Sequence, residues 1–255
     1  YFAQAMPHKP LAVSEKFYRK SGAGLYGDVL AELDDSVGQV LAKLKELNLD
    51  KQTLVIFTSD NGPWYGGSSG GLRGMKGTSY EGGYRVPCIA RWPERIPKGH
   101  VSHQPAVMMD LFATVLKTVK VDPPSNRVID GRDIFPLFTS DAPSPHEFVV
   151  GHQGDKIATI RDVRWKLHVL AANDRKEKLE ADGRWRDPRG PDGVTILAPY
   201  EQNPPSDYPG LRTGDAAKAM QLFDLQADPG EQHDVAVKHP DVVARLQKLY
   251  DGVVK

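Results

Sequence analysis

Three residues early in the chain have side chains suited to chemistry at their spacing. Asp60 and Asn61 follow a continuous apolar run, Leu54-Val55-Ile56-Phe57, where it gives way to Thr58-Ser59-Asp60-Asn61-Gly62-Pro63. Asp60 offers a hard anionic oxygen and Asn61 a neutral carbonyl oxygen, a donor pair that suits Ca²⁺ or Mg²⁺. A short apolar run of this kind reads as a strand buried on both faces. In open α/β sheets the carboxyl ends of such strands border the ligand crevice. Lys76 lies in a glycine-rich loop, between Gly74 and Gly77. Glycines let a backbone fold tightly around a ligand, and a lysine there meets an anion as a point charge. The same residues also have a plainer use. Asp-Asn-Gly after a strand is ordinary turn chemistry, and glycines punctuate loops of many kinds. His8, flanked by prolines, reads on its own as a hydrogen-bonded loop histidine.

Taken together, TLVIFTSDNGPW followed by GGLRGMKGTSYEGGYRVP resembles the formylglycine-dependent sulfatases of the alkaline-phosphatase superfamily. The resemblance implies an α/β fold, part of a layered mixed sheet with flanking helices. It implies a divalent-cation site, with Ca²⁺ (or Mg²⁺) held by Asp60 and Asn61. It places Lys76 on the sulfate, and through the Pro7-His8-Lys9-Pro10 segment it places His8 there too. The expected partner is a sulfate ester; the sequence leaves the compartment open, and periplasmic or secreted is what family analogy alone suggests.

The family's nucleophile is a formylglycine made from Cys or Ser within C/S-x-P-x-R. The single cysteine lies in Cys88-Ile89-Ala90-Arg91-Trp92, which is not that motif, and no Ser-x-Pro-x-Arg occurs. The resemblance therefore covers the C-terminal portion of the family pattern. Its implied partner is the N-terminal part of the same protein, which would carry the formylglycine. Two other readings use the same residues: a phosphonate or phosphate ester hydrolase of the superfamily, and a noncatalytic anion-binding module. A Gly67-Ser68-Ser69-Gly70-Gly71 match to the nucleophile-elbow pattern lacks the flanking strand and helix that motif needs.

Composition narrows the classes. The 255 residues carry 33 Lys+Arg against 33 Asp+Glu. That balance gives no electrostatic case for nucleic acid or an anionic membrane. No apolar run reaches membrane-spanning length, and one cysteine permits no internal disulfide.

The elements that must position these residues follow from periodicity. Residues 26–47 read as an amphipathic helix whose acidic residues, Asp28, Glu32, Asp34 and Asp35, form a solvated face. Residues 85–91 read as a strand with Cys88 as a small buried hydrophobe. Residues 107–119 read as a helix packing Met108, Leu111, Phe112, Val115, Leu116 and Val119 into a core, with Met109 also a core filler. Arg73 and Arg85 either reach an anion or pin a loop through backbone carbonyls, with Glu81 a partner for one of them. Residues 122–144 form a connecting segment, with a boundary near Ala142 between a catalytic α/β portion (1–142) and a small C-terminal α+β subdomain (143–255). In the second portion, short alternating runs near 148–150, 158–161, 165–170 and 221–225 predict a small antiparallel sheet. Residues 240–253 predict a closing helix, and 191–210 a proline-rich loop.

Overall fold

The computed structural model describes residues 1–8, 11–64, 67–173 and 213–254. The proline-rich loop expected at 191–210 lies outside them.

Helix α1 spans Gly24–Glu46. Its buried Leu25 and Val29 pack with Leu11, against Met6, Val13 and Tyr26. The helix stops where Asn48 takes a left-handed φ of 56°, and Lys43 and Lys45 complement its last turn. The acidic face is not simply solvated. Asp28 is buried and accepts the backbone N–H groups of Arg19 at 2.6 Å, Lys20 at 3.0 Å and Ser21 at 2.8 Å. These bonds, Ser21's first, hold its carboxyl below the usual range. Glu32 accepts Ser14 N–H at 2.9 Å. The carboxylates thus fasten residues 14–21 across the helix, since backbone donors in a loop need acceptors.

Strand β1 (Val55–Thr58) pairs antiparallel with β2 (Cys88–Arg91), from Val55↔Arg91 to Thr58↔Cys88. All four β1 residues are only half-buried, and Cys88 and Ile89 are exposed. The doubly buried strand and the buried cysteine expected from sequence are therefore corrected. Among the described residues β1 and β2 form a ladder of two, which leaves apolar side chains uncovered.

Helix α3 (Asp110–Thr118) reverses its expected polarity. Met108, Met109, Phe112, Val115 and Val119 are exposed, while Asp110 and Thr114 are fully buried. The polar pair faces inward because it serves the connecting segment. Asp110 accepts Arg132 N–H at 2.8 Å, and Thr114 Oγ1 accepts Ile134 N–H at 2.9 Å. That segment also forms a short helix, α4 (Phe135–Thr139), which buries Leu137. No helix among the described residues is long and apolar enough to cross a membrane.

The C-terminal antiparallel sheet is present as expected, in the order β3-β4-β5-β6. Its strands are β3 (Val149–Gln153), β4 (Lys156–Arg161), β5 (Trp165–His168) and β6 (Gln221–Asp224). Helix α5 (Pro240–Val253) closes the chain, with proline in its first turn, where no N–H is needed. Strand alternation gives the sheet two unlike faces. Ile160, Leu167 and Leu222 pack on Leu246 of α5. The opposite face carries Thr159, Arg161, Lys166, His168 and Gln221, paired in register as Thr159↔His168 and Arg161↔Lys166.

Candidate functional site

The Asp60-Asn61 turn and the Lys76 loop are joined backbone to backbone. Gly62 N–H donates to Gly83 O at 2.9 Å, and Lys76 N–H donates to Pro63 O at 2.8 Å. A Cβ on Gly62 would stand 1.9 Å from Gly82 O, so only glycine permits this approach. Asp60 is exposed, and Asn61 and Lys76 are half-buried. The Lys76 loop turns at Gly74 and Gly77, with φ of 81° and 82°. Met75, fully buried, roots it from below. Thr78 Oγ1 closes the turn, donating to Met75 O at 2.8 Å and accepting Met75 N–H at 3.1 Å.

Asp60 and Asn61 present two oxygens at the end of β1, a donor set chemically suited to a hard cation. Among the described residues no three His, Cys, Asp or Glu side chains gather as a metal site. The pair thus fits as two ligands in a shell of roughly six to eight oxygens. His8 is exposed in the N-terminal segment.

A second cluster, not anticipated from sequence, lies beneath the Lys76 loop. The short helix α2 (Glu81–Tyr84) ends that loop and is seated on the polar face of the C-terminal sheet. Glu81 carboxylate oxygens meet Arg161 Nη1 at 2.5 Å and Lys166 Nζ at 3.1 Å. Lys166 Nζ also lies 3.1 Å from Glu231 Oε1, which His168 Nε2 approaches at 2.7 Å. Glu231 Oε2 accepts Glu81 N–H at 2.5 Å. Arg73, at the loop's other end, donates to Glu231 O and Asp215 O, each at 2.9 Å. Its guanidinium lies 4.2 Å from the Tyr80 ring centroid, and Tyr80 in turn packs on His168. The expectation that Arg73 pins a loop through carbonyls holds. The partner expected for Glu81 is corrected from Arg73 or Arg85 to Arg161 and Lys166.

Electrostatics explain why this burial is tolerated. Glu81 faces Arg161 and Lys166, and Glu231 faces Lys166, so each carboxylate has a cationic partner, while the Arg73 guanidinium is held by two carbonyls and the Tyr80 ring. Burial pushes the Glu231 carboxyl up, but Lys166, His168 and the Glu81 amide outweigh it and hold it down at about 2. The ionised carboxylate accepts from His168, so Nε2 carries the proton. Nδ1 is buried with no hydrogen-bond partner among the described residues. Burial lowers the imidazole pKa against the pull of Glu231, which keeps the ring neutral and the cluster balanced. One signal for this cluster was readable. In Trp165-Lys166-Leu167-His168, alternation puts Lys166 and His168 on one face, although that face would ordinarily be assigned to solvent.

The fold and the joined loops define an α/β protein of the alkaline-phosphatase-like class. The sulfatase family model matches residues 1–121. Human N-acetylgalactosamine-6-sulfatase is 43% identical, over 98% of this chain and 46% of its own length. Human arylsulfatase A is 34% identical, over 98% and 47% respectively. The crystal structure of PsFucS1 sulfatase from Pseudoalteromonas sp. matches with a TM-score of 0.70 at 26% identity, covering 94% of this chain and 44% of that one. The chain belongs to the sulfatase family and aligns with the C-terminal part of its relatives. It spans about half the length of the curated relatives it matches.

Proposed function

We propose that this chain is the C-terminal portion of a sulfuric ester hydrolase, contributing cation and sulfate contacts to a site completed by an N-terminal portion. The observation that carries this reading is the backbone junction of Gly62 and Pro63 with Gly83 and Lys76, which sets a hard-oxygen pair beside a lysine loop. Cleaving a sulfate ester places added negative charge on the sulfuryl oxygens and the leaving oxygen. Lys76, on a rooted turn, supplies a fixed positive charge to those oxygens, and His8 supplies a donor. Asp60 and Asn61 would hold Ca²⁺ (or Mg²⁺), which when bound contributes Lewis-acid stabilisation of the same charge. The formylglycine nucleophile belongs to the N-terminal portion. The open apolar residues of α3 and β2 support a partner of that kind, because they are helix and strand positions patterned for burial.

Titrating the chain with Ca²⁺ while following the amide NMR signals of Gly62 and Lys76 tests the site. Saturable shifts are expected, and Asp60→Ala should weaken binding about tenfold or more. Equal Ca²⁺ affinity in the variant overturns the assignment. The chain alone should not hydrolyse an aryl sulfate, and measurable turnover contradicts the placement of the nucleophile elsewhere.

A further inference from the structure

We propose that Glu231 is a positioning residue for the Lys76 loop, and that the C-terminal sheet serves as the platform that aims Lys76. The inference rests on the reading of Lys76 as a sulfate contact and extends it to a residue far along the chain. The loop is gripped at both ends by this one residue. Its carbonyl accepts Arg73 at the loop's start, and its carboxylate accepts the Glu81 amide at the loop's end. Between these grips the chain makes one tight excursion through Met75, Lys76 and Thr78. The same carboxylate is fixed from below by Lys166 and His168, so it has little freedom to swing. Lesser contacts agree with a seated loop: Asn173 Nδ2 donates to Gly77 O at 2.8 Å, and Tyr84 donates to the His152 carbonyl.

The alternative is that Glu231 merely stabilises the sheet. The two differ in where the loss appears. A positioning role predicts that neutralising Glu231 loosens the Lys76 turn while the α5 side of the sheet stays closed. Leu246→Ala, which opens the core under α5, should do the reverse. Arg73→Lys, which keeps the charge but loses the forked contact, is the milder second variant.

The test has two readouts on the full chain. Amide hydrogen exchange is followed at Lys76 and Thr78, both hydrogen-bonded in the loop, and at β4 and β5 as the internal reference. Glu231→Gln and Arg73→Lys should speed exchange at Lys76 and Thr78 about tenfold relative to the reference strands, and Leu246→Ala should not. Sodium sulfate titration should show affinity falling about tenfold in Glu231→Gln and staying within about twofold in Leu246→Ala. If Glu231→Gln fails to fold, Arg73→Lys decides. Unchanged exchange at Lys76 and Thr78 relative to β4 and β5 overturns the positioning role, whatever sulfate does. Faster exchange combined with sulfate binding that Lys76→Ala leaves intact overturns only the functional reading of Lys76.

Discussion

Lys166 sits with its Nζ 3.1 Å from each of two buried carboxylates. Replacing it by methionine leaves Glu81 with Arg161 and Glu231 with a neutral imidazole. Breaking a buried pair from one side costs about 3–5 kcal/mol, because the remaining charge stays desolvated. Urea unfolding near neutral pH should show a loss of that size for Lys166→Met. The same cluster sets the direction of pH dependence. Glu231 has its carboxyl depressed from 4.5 to about 2. Its stabilisation is complete above the ordinary value and is lost as pH falls from 4.5 toward 2. His168 is held neutral, below its ordinary 6.5. As pH drops through 6.5 the unfolded chain takes up a proton that the folded ring refuses, which also favours unfolding. Both effects destabilise in acid, so the urea midpoint should fall steadily from about pH 7 to about pH 4. In Lys166→Met the Glu231 carboxyl regains a higher pKa, so the deficit relative to the parent should shrink in acid. A deficit that grows instead would contradict the assignment of charges in the cluster.

At the scale of elements, helix α3 shows how a polar residue can decide which face turns inward. Asp110 accepts Val107 N–H at 2.7 Å and Arg132 N–H at 2.8 Å, and His146 Nε2 lies 2.8 Å away. One carboxylate thus holds the helix entry, the connecting segment and the approach to the C-terminal sheet. Asp110→Ala strands these buried groups and should cost about 3 kcal/mol in urea unfolding, as hydrogen bonds to a charged group do. A loss below about 0.5 kcal/mol, typical of surface positions, would show that the clasp does not organise the element.

Over the whole molecule, the polar side of the C-terminal sheet is covered and much of the apolar side of the first portion is open. Met108, Phe112, Val115 and Val119 lie at helical spacing along α3 and the residues flanking it, with Phe112 50% and Val119 59% exposed, and Ile89 of β2 is 61% exposed. Apolar stripes of this kind drive association in water. The isolated chain should therefore enhance ANS fluorescence and show concentration-dependent sedimentation. Phe112→Glu should reduce both, while leaving the urea midpoint near that of the parent, because the ring is not in the folded core.

Local pattern in the sequence determined much of this protein. The Asp60-Asn61 turn, the Gly74–Gly77 loop with Lys76, the four C-terminal strands and α5 are all written in short runs of residues, where glycine freedom, alternation and helical spacing act between near neighbours. Tertiary structure decided which charges are buried and which apolar faces are open. Asp28, Asp110, Glu81 and Glu231 look alike in sequence to solvated carboxylates. They are buried because amides and cations from distant segments reach them, as when Lys166 meets Glu81 across 85 positions and Glu231 meets the Glu81 amide across 150. Burial of a charge depends on such partners, and no local window contains them.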